Sequence, residues 1–297
     1  MWIWESGLSF VYIYNNTIQG DDTITEKVAL HELAQVKGIG SKTMDRIKEE
    51  LLSDEIPKGE FSGNKLKLNN IYNEDMRNTL NRIPDNSIDL IVTDPPYRTT
   101  SRGNAGNSGG MLQKDINKKG QVFENNNIDV KDWIYRLYRV LKNGGHCYIM
   151  TNHVNLQKYL NAADNAGFHF IKNLIWNKGN KIMGQYYMSQ YEYIIFLRKG
   201  EGVKINNCGT PDILQINNKK IKKENGNNYH DTEKPVELMK ILIENSSKEN
   251  EIVLDPFVGI GATVIAAKKT NRRYIGIDIN KECCNITKKR VKNLSSS

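Results

Sequence analysis

The spacing of hydrophobic residues predicts a short buried strand near residue 90. Residues 88–92 form an almost continuous apolar run, which is typical of a strand covered on both faces of a parallel sheet. The run leads into Asp94-Pro95-Pro96-Tyr97, and the two prolines have no amide hydrogen with which a strand could continue its pairing. The pattern therefore predicts that the strand ends at Asp94 and presents a carboxylate there.

From residue 65 onward, strand patterns alternate with amphipathic helical patterns. The predicted strands are 65–72, 88–94, 146–151, 168–176, 191–197, 251–254 and 274–277, and the predicted helices are 76–83, 130–141, 155–166, 236–245 and 264–269. This alternation is typical of a doubly wound α/β fold, in which ligands bind at the carboxyl ends of the strands. We therefore expect an α/β domain over residues 65–293, preceded by a separate region at residues 1–60.

Residues 26–52 carry two short helical patterns joined by a Gly-Ile-Gly turn. Glycines in such a turn let backbone amides at a helix N-terminus approach a phosphate, and nearby lysines add positive charge. The segment resembles the helix-hairpin-helix DNA-binding motif. The resemblance implies DNA contacts by Lys37, Gly38, Gly40 and Lys42, whereas an ordinary helical hairpin with a glycine turn is the alternative.

Charge and cysteine content narrow the class of protein. The formal net charge of +8 and the pI of about 9.1 favour a polyanionic partner such as DNA. The four cysteines form no C-x-x-C pair and no cluster with histidine, so we expect reduced thiols, no metal site and a cytoplasmic protein. No apolar run approaches the length of a membrane span, so we expect no membrane partner.

Two long segments, 98–127 and 198–228, have hardly any apolar pattern. Long irregular segments inside a domain are commonly functional loops. The first directly follows the Asp-Pro-Pro-Tyr motif, and the second contains closely spaced lysines. Arg98, Lys219 and Lys220 are therefore candidate DNA contacts, and solvated loop charge is the alternative.

The Asp-Pro-Pro-Tyr motif supplies groups that suit a planar substrate with an amino group. The Asp94 carboxylate and the Pro95 carbonyl can accept the amino hydrogens, the prolines fix the backbone direction, and the Tyr97 ring can stack on the substrate. Such contacts draw the nitrogen lone pair out of ring conjugation and make it nucleophilic. The motif resembles that of DNA methyltransferases acting on adenine N6 or cytosine N4, which implies catalytic roles for Asp94, Pro95, Pro96 and Tyr97.

A second motif predicts a nucleotide-sized niche near residue 260. The strand at 251–254 leads into Asp-Pro-Phe-Val-Gly-Ile-Gly-Ala-Thr and then into a helix, and glycines there let a ligand lie against bare backbone. About twenty residues later Asp278 ends another strand, where an acid can accept both ribose hydroxyls. A dinucleotide fold would have a third glycine near Val264, and its absence favours S-adenosylmethionine.

The second motif closely resembles the Asp-Pro-Phe-x-Gly-x-Gly motif of the same methyltransferases, and the resemblance covers residues 65–292. At one of the matching positions, Asp75, a simple helix cap is the alternative role. The resemblance implies S-adenosylmethionine contacts at Asp75, Asp94, Lys234, Asp255, Phe257, Gly259, Gly261, Thr263 and Asp278.

The order of the motifs resembles the beta class of these enzymes, with the catalytic motif first and the cofactor motif last. It implies a Rossmann-like methyltransferase of permuted motif order, with a target-recognition segment at 179–229 preceded by a DNA contact at Lys178. The expected reaction is methylation of adenine N6 in DNA. Cytosine N4 methylation, DNA binding without catalysis and a NAD-dependent oxidoreductase are the alternatives. A homodimer and a cognate restriction endonuclease are compatible with the resemblance.

Overall fold

The structure is a computed structural model that describes residues 66–96, 128–182, 186–217 and 233–294. The helix-hairpin-helix segment, Tyr97, Arg98, Lys219 and Lys220 lie outside the described residues. The strands are β1 (Asn70–Asn73), β2 (Ile88–Thr93), β3 (Leu141–Thr151), β4 (His169–Ile182), β5 (Ser189–Arg198), β6 (Ile213–Gln215), β7 (Ile252–Asp255) and β8 (Arg273–Asp278). The α-helices are α1 (Met76–Arg82), α2 (Ile134–Val140), α3 (Leu156–Asn165), α4 (Val236–Ser246), α5 (Ala262–Lys269) and α6 (Lys281–Asn293).

The eight described strands form one sheet in the order β1-β8-β7-β2-β3-β5-β4-β6. Every neighbouring pair is parallel except the two that involve β5, which runs antiparallel to β3 and to β4. Strands β7 and β8, from the last part of the chain, lie between β1 and β2, from the first part of the domain. Because these strands are parallel neighbours, the carboxyl ends of β2, β7 and β8 lie side by side at the same end of the sheet.

Helices cover both faces of the sheet and create two apolar cores. On one face α1, α2 and α3 pack on residues such as Ile91 and Ile195, and on the other α4, α5 and α6 pack on residues such as Val92 and Ile194. Adjacent strand residues thus point into opposite cores, as the pleat requires. The predicted doubly wound α/β fold is confirmed. None of the described helices is both long and apolar enough to cross a membrane.

The predicted elements are present, but several boundaries were wrong. The predicted helix 130–141 is interrupted: a 3₁₀ turn at Val130–Asp132 precedes α2, which ends at Val140. Gly144 and Gly145, which follow the predicted helix in the sequence, lie inside β3. The proposed recognition segment 179–229 includes all of β5, whose residues 194–197 are core. Only the parts of that segment outside the sheet core are available to contact DNA.

Candidate active site

The ends of β2 and β7 are joined by a buried hydrogen bond. Thr93, the last residue of β2, donates from Oγ1 to Asp255 Oδ1 at 2.9 Å. Because the two strands are parallel neighbours, this bond lies at the carboxyl edge of the sheet. The structure therefore brings together the Asp-Pro-Pro-Tyr motif, which starts one residue after Thr93, and the glycine motif after β7.

Asp255 is an internal acid rather than a group that faces a ligand. It is 3% exposed, and its Oδ1 also accepts the Phe257 amide at 3.1 Å. Burial raises the pKa of Asp255 to about 7, although hydrogen bonds from Thr263, Phe257 and Thr93 oppose the shift. The Asp255 and Thr263 side chains are both buried and bond each other, which stabilises the glycine loop. Their expected contacts with the cofactor stay predictions.

The two glycines of the loop have different surroundings. Both have positive φ, +52° at Gly259 and +95° at Gly261. A Cβ at Gly261 would lie 2.5 Å from Cγ2 of Thr287 on α6, so this glycine allows close packing. A Cβ at Gly259 would meet no heavy atom of the described residues within 4 Å. Open space therefore borders the backbone of Gly259, where a ligand can approach it.

Asp278 lies beside Gly259. Its Oδ2 accepts the Gly259 amide at 2.9 Å, and its Oδ1 accepts the Asn280 amide at 2.8 Å. A carboxylate has roughly four acceptor positions, so these bonds orient the group and are compatible with hydroxyl donors from a sugar. Sequence reasoning missed two residues of α6 that hold the loop: Thr287 donates to the Gly259 carbonyl at 2.9 Å, and Arg290 donates to the Ile260 carbonyl at 2.5 Å.

Asp94 is largely buried at the sheet edge and is bound through one oxygen only. Its Oδ2 accepts from Lys234 Nζ at 2.5 Å, and its buried Oδ1 has no hydrogen-bond partner among the described residues. Burial raises the pKa of Asp94 above the usual carboxyl value, and Lys234 opposes this shift. Burial lowers the pKa of Lys234, but Asp94 and Glu192 outweigh it and the net shift is upward.

Lys234 also faces Glu192 of β5, which sequence reasoning missed. Glu192 Oε2 lies 3.5 Å from Lys234 Nζ, and Glu192 Oε1 accepts from Lys178 Nζ at 2.5 Å. Asp94, Lys234, Glu192 and Lys178 thus form a row of alternating charge, which we call the charge row. The only available signal was the single acid between Tyr191 and Tyr193 in a strand pattern.

Three of the expected site residues have intramolecular partners. The Lys178 side chain is 13% exposed and bonds Glu192. The Lys234 ammonium is bound by Asp94 and lies near Glu192. The DNA contact expected of Lys178 and the cofactor contact expected of Lys234 stay predictions. Asp75 is the N-cap of α1 and accepts from the Arg77 amide at 2.8 Å, which supports the helix-cap alternative. Phe257 packs edge-on against Trp133 with ring centroids 5.6 Å apart.

The groups at this edge fit a nucleoside that carries a methyl donor beside a second, amino-bearing substrate. Gly259 offers open space along bare backbone, and Asp278 offers an oriented carboxylate next to it. Asp94 offers a buried, unpartnered acceptor one strand away.

Comparison with known proteins agrees with this chemistry. Residues 88–289 match the N6/N4 DNA methylase family. The chain belongs to this family. The methylase is 32% identical over 232 residues to the type II methyltransferase M2.DpnII of Streptococcus pneumoniae, covering 71% of this chain and 85% of the relative. It is 28% identical over 249 residues to M.HinfI of Haemophilus influenzae, covering 76% and 69% of the two chains.

Solved structures share the fold of the methylase. The M1.HpyAVI–SAM complex superposes with a TM-score of 0.55 at 23% identity, covering 74% of this chain and 98% of the other. The cytosine-N4-specific PvuII DNA methyltransferase superposes with a TM-score of 0.58 at 16% identity, covering 76% and 90%. Family membership makes the protein an S-adenosylmethionine-dependent DNA methyltransferase.

Proposed function

We propose that the methylase transfers a methyl group to the N6 amino group of adenine in DNA and that Asp94 accepts a hydrogen bond from that group. The observation that carries the proposal is the buried Oδ1 of Asp94, which has no hydrogen-bond partner among the described residues. A buried polar atom without a partner is costly and is commonly completed by a ligand. An exocyclic amino group supplies the matching donor.

S-adenosylmethionine, when bound, supplies the electrophilic methyl group. Gly259 and Asp278 would hold its nucleoside part, because the backbone of Gly259 borders open space and the Asp278 carboxylate is fixed beside it. The methyl group and the amino group must meet in a fixed geometry, and such positioning is a main source of rate in group transfer. Asp94 and Gly259 follow the ends of the neighbouring strands β2 and β7, which supports this arrangement.

Lys234 keeps Asp94 suited to this role. Burial alone favours the protonated acid, which accepts hydrogen bonds poorly, and the neighbouring ammonium favours the carboxylate. When the amino nitrogen forms its bond to the methyl carbon, the bond between that carbon and the sulfonium sulfur would break, with the neutral thioether as the leaving group. The nitrogen becomes positively charged, the Asp94 carboxylate stabilises that charge, and the nitrogen then loses one proton to solvent. By the resemblance, the Pro95 carbonyl accepts the second amino hydrogen, Pro96 sets the chain direction, and Tyr97 stacks on the base.

The β4–β5 hairpin is the proposed DNA-facing surface beside this site. Thr151, the last residue of β3, pairs with Tyr193, so the described residues 177–182 and 186–190 extend past the carboxyl end of β3. Tyr186 is 88% exposed and Tyr187 is 94% exposed near the tip. Exposed aromatic rings are suited to stacking on bases of DNA. The type II relatives further support a restriction endonuclease as the cognate partner of this enzyme.

The test is to incubate the wild-type chain with unmethylated DNA and S-adenosylmethionine and to identify methylated nucleosides by mass spectrometry. We expect N6-methyladenine, and Asp94→Asn is expected to lower the rate at least about 100-fold, because the neutral amide is a weaker acceptor. Calorimetry should show S-adenosylmethionine affinity within about threefold of wild type, since cofactor binding rests on other residues.

Asp164→Asn is the control, because Asp164 is an exposed carboxylate in the last turn of α3 and lies outside the segment proposed to contact DNA. Its activity should equal that of wild type. Detection of N4-methylcytosine alone would contradict the adenine assignment, and absence of any methylated base would contradict the function. An active Asp94→Asn variant would contradict the role of Asp94.

A further inference from the structure

Glu192 lies on β5, which β3 separates from β2 in the sheet, yet its carboxylate lies close to the ammonium group that binds Asp94. Glu192 pairs with Trp176 across the β4–β5 ladder, one residue beyond the position where Tyr193 pairs with Thr151. Its carboxylate is largely buried and lies between two ammonium groups, Lys178 on Oε1 and Lys234 near Oε2. A buried acid is retained only when it is paired, so this arrangement is built rather than incidental.

We propose that Glu192 is a positioning residue that sets the hydrogen-bonding strength of Asp94 through Lys234, the ammonium group that the two acids share. The proposal rests on the function proposed above for Asp94. Glu192 does not need to touch either substrate, because Lys234 contacts both acids.

The single positive charge of Lys234 is shared between the carboxylates of Asp94 and Glu192. When Lys234 interacts with two carboxylates, its attraction for Asp94 is partly balanced, and Asp94 keeps more electron density for a substrate N–H. Without Glu192 the ammonium would bind Asp94 alone and weaken Oδ1 as an acceptor. Lys178 opposes this effect, because it bonds Glu192 and reduces the negative charge that Lys234 experiences.

The pKa values of Asp94 and Glu192 shift in the directions expected if both acids share the Lys234 ammonium. Burial raises the pKa of Asp94, Lys234 and Lys178 lower it, and Glu192 raises it. Burial also raises the pKa of Glu192, but Lys234 and Lys178 outweigh burial and the net shift is downward. Beyond the charge row, the ionisable groups that face Asp94 are Asp255 at the end of β7 and Tyr159 on α3.

Two single variants should therefore shift the pH dependence of catalysis in opposite directions. The rate should rise with pH as Asp94 ionises, and the midpoint of this acid limb reports its pKa. Glu192→Gln removes a negative neighbour, so the acid limb should move about one pH unit lower and the plateau rate should fall about tenfold. Lys178→Met removes a positive neighbour and keeps the apolar stem, so the limb should move higher by a similar amount.

The experiment measures single-turnover methylation at saturating DNA and S-adenosylmethionine across the acidic and neutral pH range. Wild type, Glu192→Gln, Lys178→Met and the control Asp164→Asn are compared, with thermal melting and cofactor affinity measured for each. Glu192→Asp retains the charge and should return the limb toward the wild-type midpoint. Saturating DNA separates the chemical step from any change in DNA affinity.

Opposite shifts of the acid limb, with cofactor affinity unchanged, would support the positioning role. Unshifted limbs, or shifts of both variants in the same direction, would overturn it, whatever happens to the rate. A lower rate accompanied only by a lower melting temperature would also overturn it, because that is the signature of structural damage. Wild-type protein that methylates no DNA contradicts the proposed function instead, so the two failures are distinguishable.

Discussion

Burial disfavours the charged form of Asp255. We therefore predict that the free energy of unfolding of the protein depends on pH. The pKa of Asp255 is raised from 3.8 to about 7 in the folded protein, so between these values the folded state binds more protons than the unfolded state. Stability contributed by the protonated acid is therefore present at low pH and is lost as pH rises through this window. The size of the loss is on the order of a few kcal/mol.

The variant Asp255→Asn should remove most of this dependence, because the neutral amide can still accept the Thr93 and Phe257 hydrogen bonds through Oδ1. Urea unfolding of both proteins between pH 5 and 8 measures the difference in free energy. We expect that difference to move in favour of the variant as pH rises. Parallel curves at all pH values would show that Asp255 does not titrate in this range.

Single residues were predictable from the sequence when their role is local. Asp94 and Asp278 each follow a strand pattern, and Gly259 lies in a glycine bend, so the nearby chain identifies them. The charge row was not predictable, because Lys234 and Asp94 are 140 positions apart and meet only through the sheet. The ion pair of Lys178 and the burial of Asp255 were not predictable for the same reason, since neither burial nor an ion-pair partner is visible in a short motif.

Two glycines in the turn from β7 to α5, Gly259 and Gly261, should differ in how much stability the protein loses when each is replaced by alanine. Gly261→Ala places a methyl group against Thr287 of α6 and at positive φ, so we expect a loss of about 2 kcal/mol or more. Gly259→Ala faces open space and suffers mainly the backbone strain, about 1 kcal/mol. The same methyl group at Gly259 should weaken S-adenosylmethionine binding, because it occupies the proposed ligand space.

Chemical unfolding and calorimetric titration check these two glycine variants. Thr287→Ser removes Cγ2 while keeping the hydroxyl that bonds the Gly259 carbonyl, so it should restore part of the stability lost in Gly261→Ala. Equal destabilisation by both glycine variants, or no recovery in the double variant, would contradict the packing argument.

The bounds of strands were predicted well where the hydrophobic pattern along the chain is strong. They were predicted poorly where pairing with neighbouring strands determines the length of the strand. The runs that became β2, β7 and β8 were located within a residue or two. The extension of β4 to residue 182 was not expected, because that part of the strand is held by pairing with β5 and β6 rather than by its own apolar pattern. The antiparallel direction of β5 likewise follows from its connection to β4.

Considered as a whole molecule, the methylase presents its proposed DNA surface at one edge, and this is testable. The double variant Tyr186→Ala/Tyr187→Ala should weaken DNA binding about tenfold or more, because each base–aromatic stack contributes roughly 1–3 kcal/mol. Fluorescence anisotropy with labelled duplex DNA measures the affinity, and S-adenosylmethionine affinity should not change.

Phe170→Ala is the control for the hairpin, because Phe170 is an aromatic residue of the same strand, is 51% exposed and lies near the opposite end of β4. It should leave DNA affinity unchanged. If the double variant Tyr186→Ala/Tyr187→Ala and the Phe170→Ala variant both bind DNA with wild-type affinity, the hairpin is not part of the DNA interface.

The central position of β7 and β8 has a consequence for synthesis of the protein. Until the ribosome has translated residues 252–278, β1 has no neighbour and β2 lacks one of its two. The sheet of the nascent chain therefore stays incomplete until β7 and β8 have been synthesised and have inserted between β1 and β2. A polypeptide that lacks residues 252–278 accordingly has no cofactor niche, so methylation can begin only after these residues have been translated.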